Sequence, residues 1–232
     1  MKKTVSVSLA LLLASLAAAA SAADAPTILN GSFEDNQLAG PGTSTGTIAD
    51  WIKTFHGPIA LVNGDLIDNY GNSYGVTPFG NQYVGLDPIT TGFRAGITQI
   101  VDNFVAGQTY ALTLYVADSD GGKAPLLDVM FSDGGATVYQ ETSYNVPVGG
   151  PYGDVIDFTK VTTLFTAPVS GEIAISLFNN GSAYVTTDPG SISIDNVSIA
   201  LAAPVPEPTS AALLAVGLLA VGGRQLSRRR KA

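Results

Sequence analysis

The 232-residue sequence contains no cysteine, one histidine and one tryptophan. Without cysteine there is no disulfide framework and no thiolate zinc site, so stability must come from a packed core and from any calcium its oxygen ligands hold. Basic residues are scarce where they would matter. Of the 11 Lys and Arg, Lys2 and Lys3 stand at the N-terminus, while Arg224, Arg228, Arg229, Arg230 and Lys231 stand at the C-terminus. Only Lys53, Arg94, Lys123 and Lys160 remain between them, against 18 of the 19 acidic residues, for a net charge near −14. A surface that acidic repels phosphate backbones and excludes nucleic acid as a partner.

Catalytic signatures are missing as well. His56, in Phe55-His56-Gly57-Pro58, is accompanied by no Gly-x-Ser-x-Gly elbow and no His-Glu-x-x-His helix, and reads as a surface residue. Loop aspartates (Asp65, Asp68, Asp118, Asp120, Asp154, Asp157) are too common for any pair to stand out as a glycoside-cleaving couple. No catalytic residue is assigned, and the chain is expected not to be an enzyme.

Long apolar runs are confined to the two ends. Residues 1–22 have a charged start at Lys2-Lys3, an apolar stretch from about Val5 to Ala20, and the small-x-small triplet Ala20-Ser21-Ala22. That is the pattern of a secretory signal, cut by signal peptidase after Ala22, with Ala23 the neighbouring option. At the other end, Val205-Pro206-Glu207-Pro208 precedes an apolar run from Thr209 to Gly223 and then the basic cluster Arg224 to Lys231. The prolines break any continuing strand and make a stiff, accessible linker. As helix, about 15 residues span roughly 22 Å, a weak single anchor for a ~30 Å hydrocarbon layer. The terminal arginines keep the last residues cytoplasmic. The physics gives an outside body and an inside terminus.

This three-part tail resembles the PEP-CTERM sorting signal of Gram-negative bacteria. The resemblance implies processing near Val205, Pro206, Glu207 and Pro208 by an exosortase, a brief stay at the inner membrane through the C-terminal helix, and release to periplasm, cell surface or extracellular matrix, often alongside exopolysaccharide and biofilm. The expected organisation is a signal peptide at 1–22, one domain at 23–203 and the sorting tail at 204–232.

The middle region alternates with period two, interrupted by Gly, Pro, Asn and Asp. Tyr110, Leu112, Leu114 and Val116 share one face, as do Leu127, Val129 and Phe131. Ser132-Asp133-Gly134-Gly135 turns the chain into Ala136 to Gln140, an Asp-Gly hairpin signal. Val161, Thr163 and Phe165, then Ile173, Ile175 and Leu177, continue the pattern. No stretch carries a sustained helical stripe, so an all-β, two-sheet antiparallel sandwich is predicted. The last strand changes parity: Ile192 and Ile194 are even, Val197, Ile199 and Leu201 odd. Either a bulge at Asp195-Asn196 restores the phase, or the strand passes from burial on both faces to burial on one.

Ile28 to Glu34, Asp50-Trp51, Gly80 to Leu86, Thr98-Gln99, Val105 to Tyr110, Phe165 to Pro168 and Ile192 to Ile199 follow one another in an order similar to galactose-binding-like jelly rolls. Carbohydrate-binding modules of families four and nine are among them. The resemblance implies a jelly-roll sandwich and a structural calcium shared by Glu34 and Asp195 with backbone carbonyls, although Asn196 replaces the usual second aspartate and lowers the ligand charge.

Sugar binding needs an aromatic platform beside polar groups. Trp51 stands where that family buries a tryptophan and reads as core, as do Tyr83 and Tyr110. Tyr70, Tyr74, Tyr144 and Tyr152 lie in Gly/Asn/Pro-rich segments and are the candidate ligand contacts. Phe79 and Tyr184 complete the aromatic set. The leading expectation is an exported polysaccharide-binding surface protein. The alternative is a structural matrix protein without a small ligand, and a glycoside hydrolase trails both.

Overall fold

A strand with one buried face needs apolar side chains at every second position, and the alternating segments form such strands. The computed structural model describes residues 24–36, 38, 42–54, 59–63, 77–87, 94–118, 125–148, 157–180 and 190–203. The predicted signal peptide, the sorting tail and the segments holding His56, Tyr70, Tyr74 and Tyr152 lie outside the described residues.

Among the described residues eleven strands run in chain order: β1 (Gly42–Ser44), β2 (Ile52–Thr54), β3 (Ile59–Asn63), β4 (Gln82–Leu86), β5 (Arg94–Phe104), β6 (Thr109–Asp118), β7 (Leu126–Ser132), β8 (Val138–Asn145), β9 (Thr159–Thr166), β10 (Gly171–Asn180) and β11 (Ile192–Leu201). The first sheet has the order β1-β3-β4-β11-β6-β9 and the second β2-β5-β10-β7-β8, all antiparallel. No helix occurs among the described residues. This is the two-sheet antiparallel sandwich expected from the alternation, and the jelly roll that the resemblance implied.

The core is the interleaved inner faces. Leu112, Leu114 and Val116 meet Ile97, Ile173, Ile175, Leu177 and Val129, all buried. Phe131 and Phe165 stack flat across the two sheets, centroids 4.1 Å apart. The Asp133 turn forms as predicted: its Oδ1 accepts the backbone N–H groups of Gly135 and Thr137. A hydrogen bond from the Thr137 side chain, followed by those backbone bonds, holds its carboxyl below the usual carboxylate range.

Both readings of the last strand hold. Pairing of β11 with β6 slips between Asp195 and Ser198, and Asn196 takes φ +50°, so the bulge is present. Ile192 to Asp195 are also buried on both faces, before alternation begins at Val197. Phe79 covers the outer side, its ring 4.1 Å from Tyr115 and 6.3 Å from Phe158. Tyr83 belongs to this outer layer too, against Phe158 at 5.9 Å; only Tyr110 of the two tyrosines reaches the central core.

The resemblance motifs are largely clamps on the entering chain. Gln99 Nε2 donates to the Leu29 carbonyl while its Oε1 accepts the Leu29 N–H. Gln82 does likewise for the Phe33 carbonyl and the Leu38 N–H. Trp51 is buried as expected, its Nε1–H on the Asn30 carbonyl and its ring 5.7 Å from Phe33. The Gly31 carbonyl accepts the Val197 N–H at 2.8 Å. A Cβ at Gly31 would stand 2.0 Å from the Val197 carbonyl oxygen. Gly31→Ala is therefore expected to cost about 1–3 kcal/mol, as overpacking does, read as a lower thermal unfolding midpoint.

Candidate functional site

The outer side of the second sheet carries what a polar ligand needs. Register sets the positions: Asn180 stands opposite Arg94, Phe178 lies between Gly96 and Asp128, and Ser176 lies between Thr98 and Met130. Ser143 and Glu141 on β8 face Asp128 and Met130. Alternation points this whole set away from the core.

Arg94 is the hinge of the set. Its Nη2 is 3.2 Å from Asp128 Oδ2 and its Nη1 donates to Glu141 Oε1 at 2.6 Å. Asp128 is wholly buried on this outer face, and it also accepts Asn180 Nδ2–H and the Ser143 hydroxyl, each at 2.6 Å. A buried carboxylate with a cation and two neutral donors is fully matched, which locks the fork of Arg94 in one orientation. About a third of the Arg94 and Glu141 side chains stays exposed, 38% and 35%.

Beside them lies an aromatic plate. The Phe178 ring rests across Gly96, where a Cβ would come within 2.2 Å of Phe178 Cδ1. Only glycine lets the ring lie that low. The Arg94 Cζ sits 5.7 Å from the ring centroid. A hydroxyl chain continues the face: Thr54 to Thr98 at 3.2 Å and Thr98 to Ser176 at 2.8 Å. Ile52 and Ile100, more than half exposed, border it. The face thus offers an apolar plate, a fixed fork of donors and carboxylate acceptors within one patch.

Neither Arg94 nor Phe178 stood out in the sequence. One signal was there for each. Phe178 is an aromatic on the solvent phase of the Ile173–Ile175–Leu177 strand, and Arg94 is one of four basic residues in an acidic region. The expected contact Tyr144 is half-buried at the other side of β8, with its hydroxyl 2.8 Å from Thr163 Oγ1, so it ties the two sheets together.

The expected calcium pair is brought together by the opening turn and the β11 bulge. Glu34 Oε1 accepts the N–H groups of Asn81 and Gln82 at 2.6 and 2.8 Å. Asp195 is wholly buried; its Oδ1 accepts the Asn196 N–H at 2.6 Å, and its Oδ2 accepts the Thr77 hydroxyl. Burial pushes its carboxyl up to about 6, with the Glu34 charge adding to the rise and the two hydrogen bonds opposing it. Among the described residues the ion pairs are those of Arg94, and none reaches this couple. Two neighbouring carboxylates without a cation suit a hard divalent ion in kind. No group of three or more His, Asp or Glu gathers among the described residues, so further ligands would be backbone oxygens or water.

Comparison with known proteins divides the chain. Residues 204–230 match the PEP-CTERM protein-sorting motif, the tail expected from the Pro-Glu-Pro signature. No curated protein matches the sequence. Solved structures match the sandwich. An arabinose-bound α-L-arabinofuranosidase aligns over 75% of this chain and 26% of its own, with TM-score 0.50 and 14% identity. The enzymatically active domain of tailspike protein 4 of bacteriophage CBA120 aligns over 75% and 21%, with TM-score 0.47 and 18% identity. A CBM4 structure aligns over 75% and 99%, with TM-score 0.40 and 13% identity. The chain spans about a quarter or less of the first two proteins. At these identities the likeness is one of fold.

Proposed function

We propose that this chain is an exported surface or matrix protein whose sandwich binds polysaccharide on the outer face of the second sheet. The PEP-CTERM motif supports the export half of this reading. It implies handling by an exosortase, with signal peptidase acting at the other end and the C-terminal helix serving as a temporary membrane anchor. The periplasm, cell surface or exopolysaccharide matrix of a Gram-negative cell is the setting.

The binding half rests on one observation: the Phe178 plate lying beside the locked fork of Arg94. A pyranose has an apolar face and a rim of hydroxyls. The plate takes the face, while Arg94, Glu141 and the Thr98 hydroxyl, held by buried Ser176, take the rim. The role proposed for this face is capture.

Calcium completes the proposal as a structural ion. Glu34 and Asp195 would hold it between the first turn and the last strand, supplying positive charge where two carboxylates meet. The test of function is binding of the full chain to an array of polysaccharides. Retention on at least one, without release of reducing sugar, is expected. Failure to bind any would overturn the reading in favour of a structural matrix protein, and sugar release would favour a hydrolase.

A further inference from the structure

A second feature lies on a different part of the molecule, the open edge where β8 of one sheet faces β9 of the other. A cleft of about 420 Å³ is lined by Val138, Tyr139, Gln140, Leu164, Thr166 and Pro168, with Phe165 as its floor. Its origin is a register slip. Phe131 pairs with Gln140 and Ser132 with Val138, so Tyr139 is an extra residue in β8 with no partner opposite. A bulge re-aims its side chain, and here it turns a tyrosine to the gap between the sheets. The floor is rigid, because Phe165 is stacked on Phe131.

Three observations define an occupant. First, none of the lining residues is charged, in a body whose net charge is near −14. An ionic ligand would find no counter-charge. Second, the walls mix kinds: Val138 and Leu164 are 50% and 60% exposed and apolar, while Tyr139, Gln140 and Thr166 bring hydroxyl and amide groups. Third, peptide addition to β9 is blocked. Its outward Leu164 and Thr162 carbonyls already accept Gln140 Nε2–H at 2.9 Å and the Tyr144 hydroxyl at 3.4 Å. The volume falls within the roughly 300–1,000 Å³ of small-ligand sites.

We infer that this cleft is a second saccharide site, taking one or two rings of a neutral glycan against Tyr139 and Leu164, separate from the Arg94–Phe178 face. Two sites on one small domain let it bridge chains or hold one polymer at two points, which raises avidity without new contacts.

The experiment is calorimetric titration of the full chain, in a sugar-free detergent, with xylotriose, cellotriose and β-1,4-galactotriose. The variants are Leu164→Glu, which puts a charge on an exposed rim and spares the core, Tyr139→Ala and Phe178→Ala. Wild type is expected to take two molecules of at least one trisaccharide. L164E and Y139A are expected to lose one of the two, with at least a tenfold weakening there. F178A should keep that one and lose the other. A single site lost in L164E but not in F178A would uphold the cleft and overturn the Arg94–Phe178 reading. A single site lost only in F178A would overturn the cleft, and absence of binding by wild type would overturn both. Unfolding midpoints identify any variant whose fold has failed, and L164E then decides.

Discussion

Phe178→Ala is expected to weaken binding of polysaccharide to the second sheet by about tenfold to a hundredfold, with the unfolding midpoint little changed. The ring is half-buried on an outer face, so its removal leaves no cavity in the sandwich core. What it removes is the plate. Covering an aromatic ring with a sugar face is worth about 1.5–3 kcal/mol, and each 1.4 kcal/mol is about a factor of ten in Kd. Arg94→Lys should fall nearly as far. One guanidinium reaches Asp128 and Glu141 through two different nitrogens, and a point ammonium cannot span both. Asp128 is a poorer probe, because stripping it would leave buried partners unmatched and damage the fold. Affinity electrophoresis in gels containing the bound polysaccharide reads the effect. Unchanged migration of F178A would remove this face from the account.

The second large effect concerns Asp195 and has a definite sign. Its carboxyl sits at about 6 in the folded chain against an ordinary 3.8. The folded state therefore holds the proton more tightly than the unfolded state. Without a bound cation, stability is fully present below about pH 4 and is lost as pH rises through 6, by about 3 kcal/mol at one-unit equivalence of 1.36 kcal/mol. In EDTA the protein should accordingly melt higher at pH 5 than at pH 7.5. Calcium at a hundredfold excess over its Kd is expected to cancel the difference between the two pH values, since the ion binds the ionised form and competes with the proton. At that excess it adds about 2.7 kcal/mol, or roughly 5–10 °C for a domain of this size. Asp195→Asn should flatten the pH dependence and abolish the response to calcium. Identical melting curves in EDTA and calcium across this pH range would rule the ion out, while a flat EDTA profile would show that Asp195 is ionised at no cost.

Much of this architecture was readable in the residues. The hydrophobic phase of β6, β7, β9 and β10 is visible in sequence because period two is a local property, and the parity change at Asp195-Asn196 announced a real bulge. The Glu34–Asp195 couple came from resemblance, and the fold does bring the two into electrostatic contact. The face proposed for binding was not readable. Tyr70, Tyr74, Tyr144 and Tyr152 were singled out for their Gly/Asn/Pro-rich surroundings; Tyr144 stands in β8 and bonds to Thr163, the other three lie outside the described residues, and Phe178 is a strand residue. Phe178 has meaning only because β10 pairs with β5 in a register that puts Gly96 under its ring. Tyr139 is similar: nothing in Val138-Tyr139-Gln140 reveals that the pairing with β7 skips it.

Sequence alone therefore determined the class of fold, the acidic and cysteine-free character of the body, and the sorting tail, because composition, alternation and terminal signals are written over neighbouring residues. Only the tertiary structure decided which outward face sets Arg94 beside Phe178 and which is roofed by Phe79 and Phe158. Exposure of a strand's second face depends on what distant segments lie over it, and residues next to one another in the chain carry no record of that.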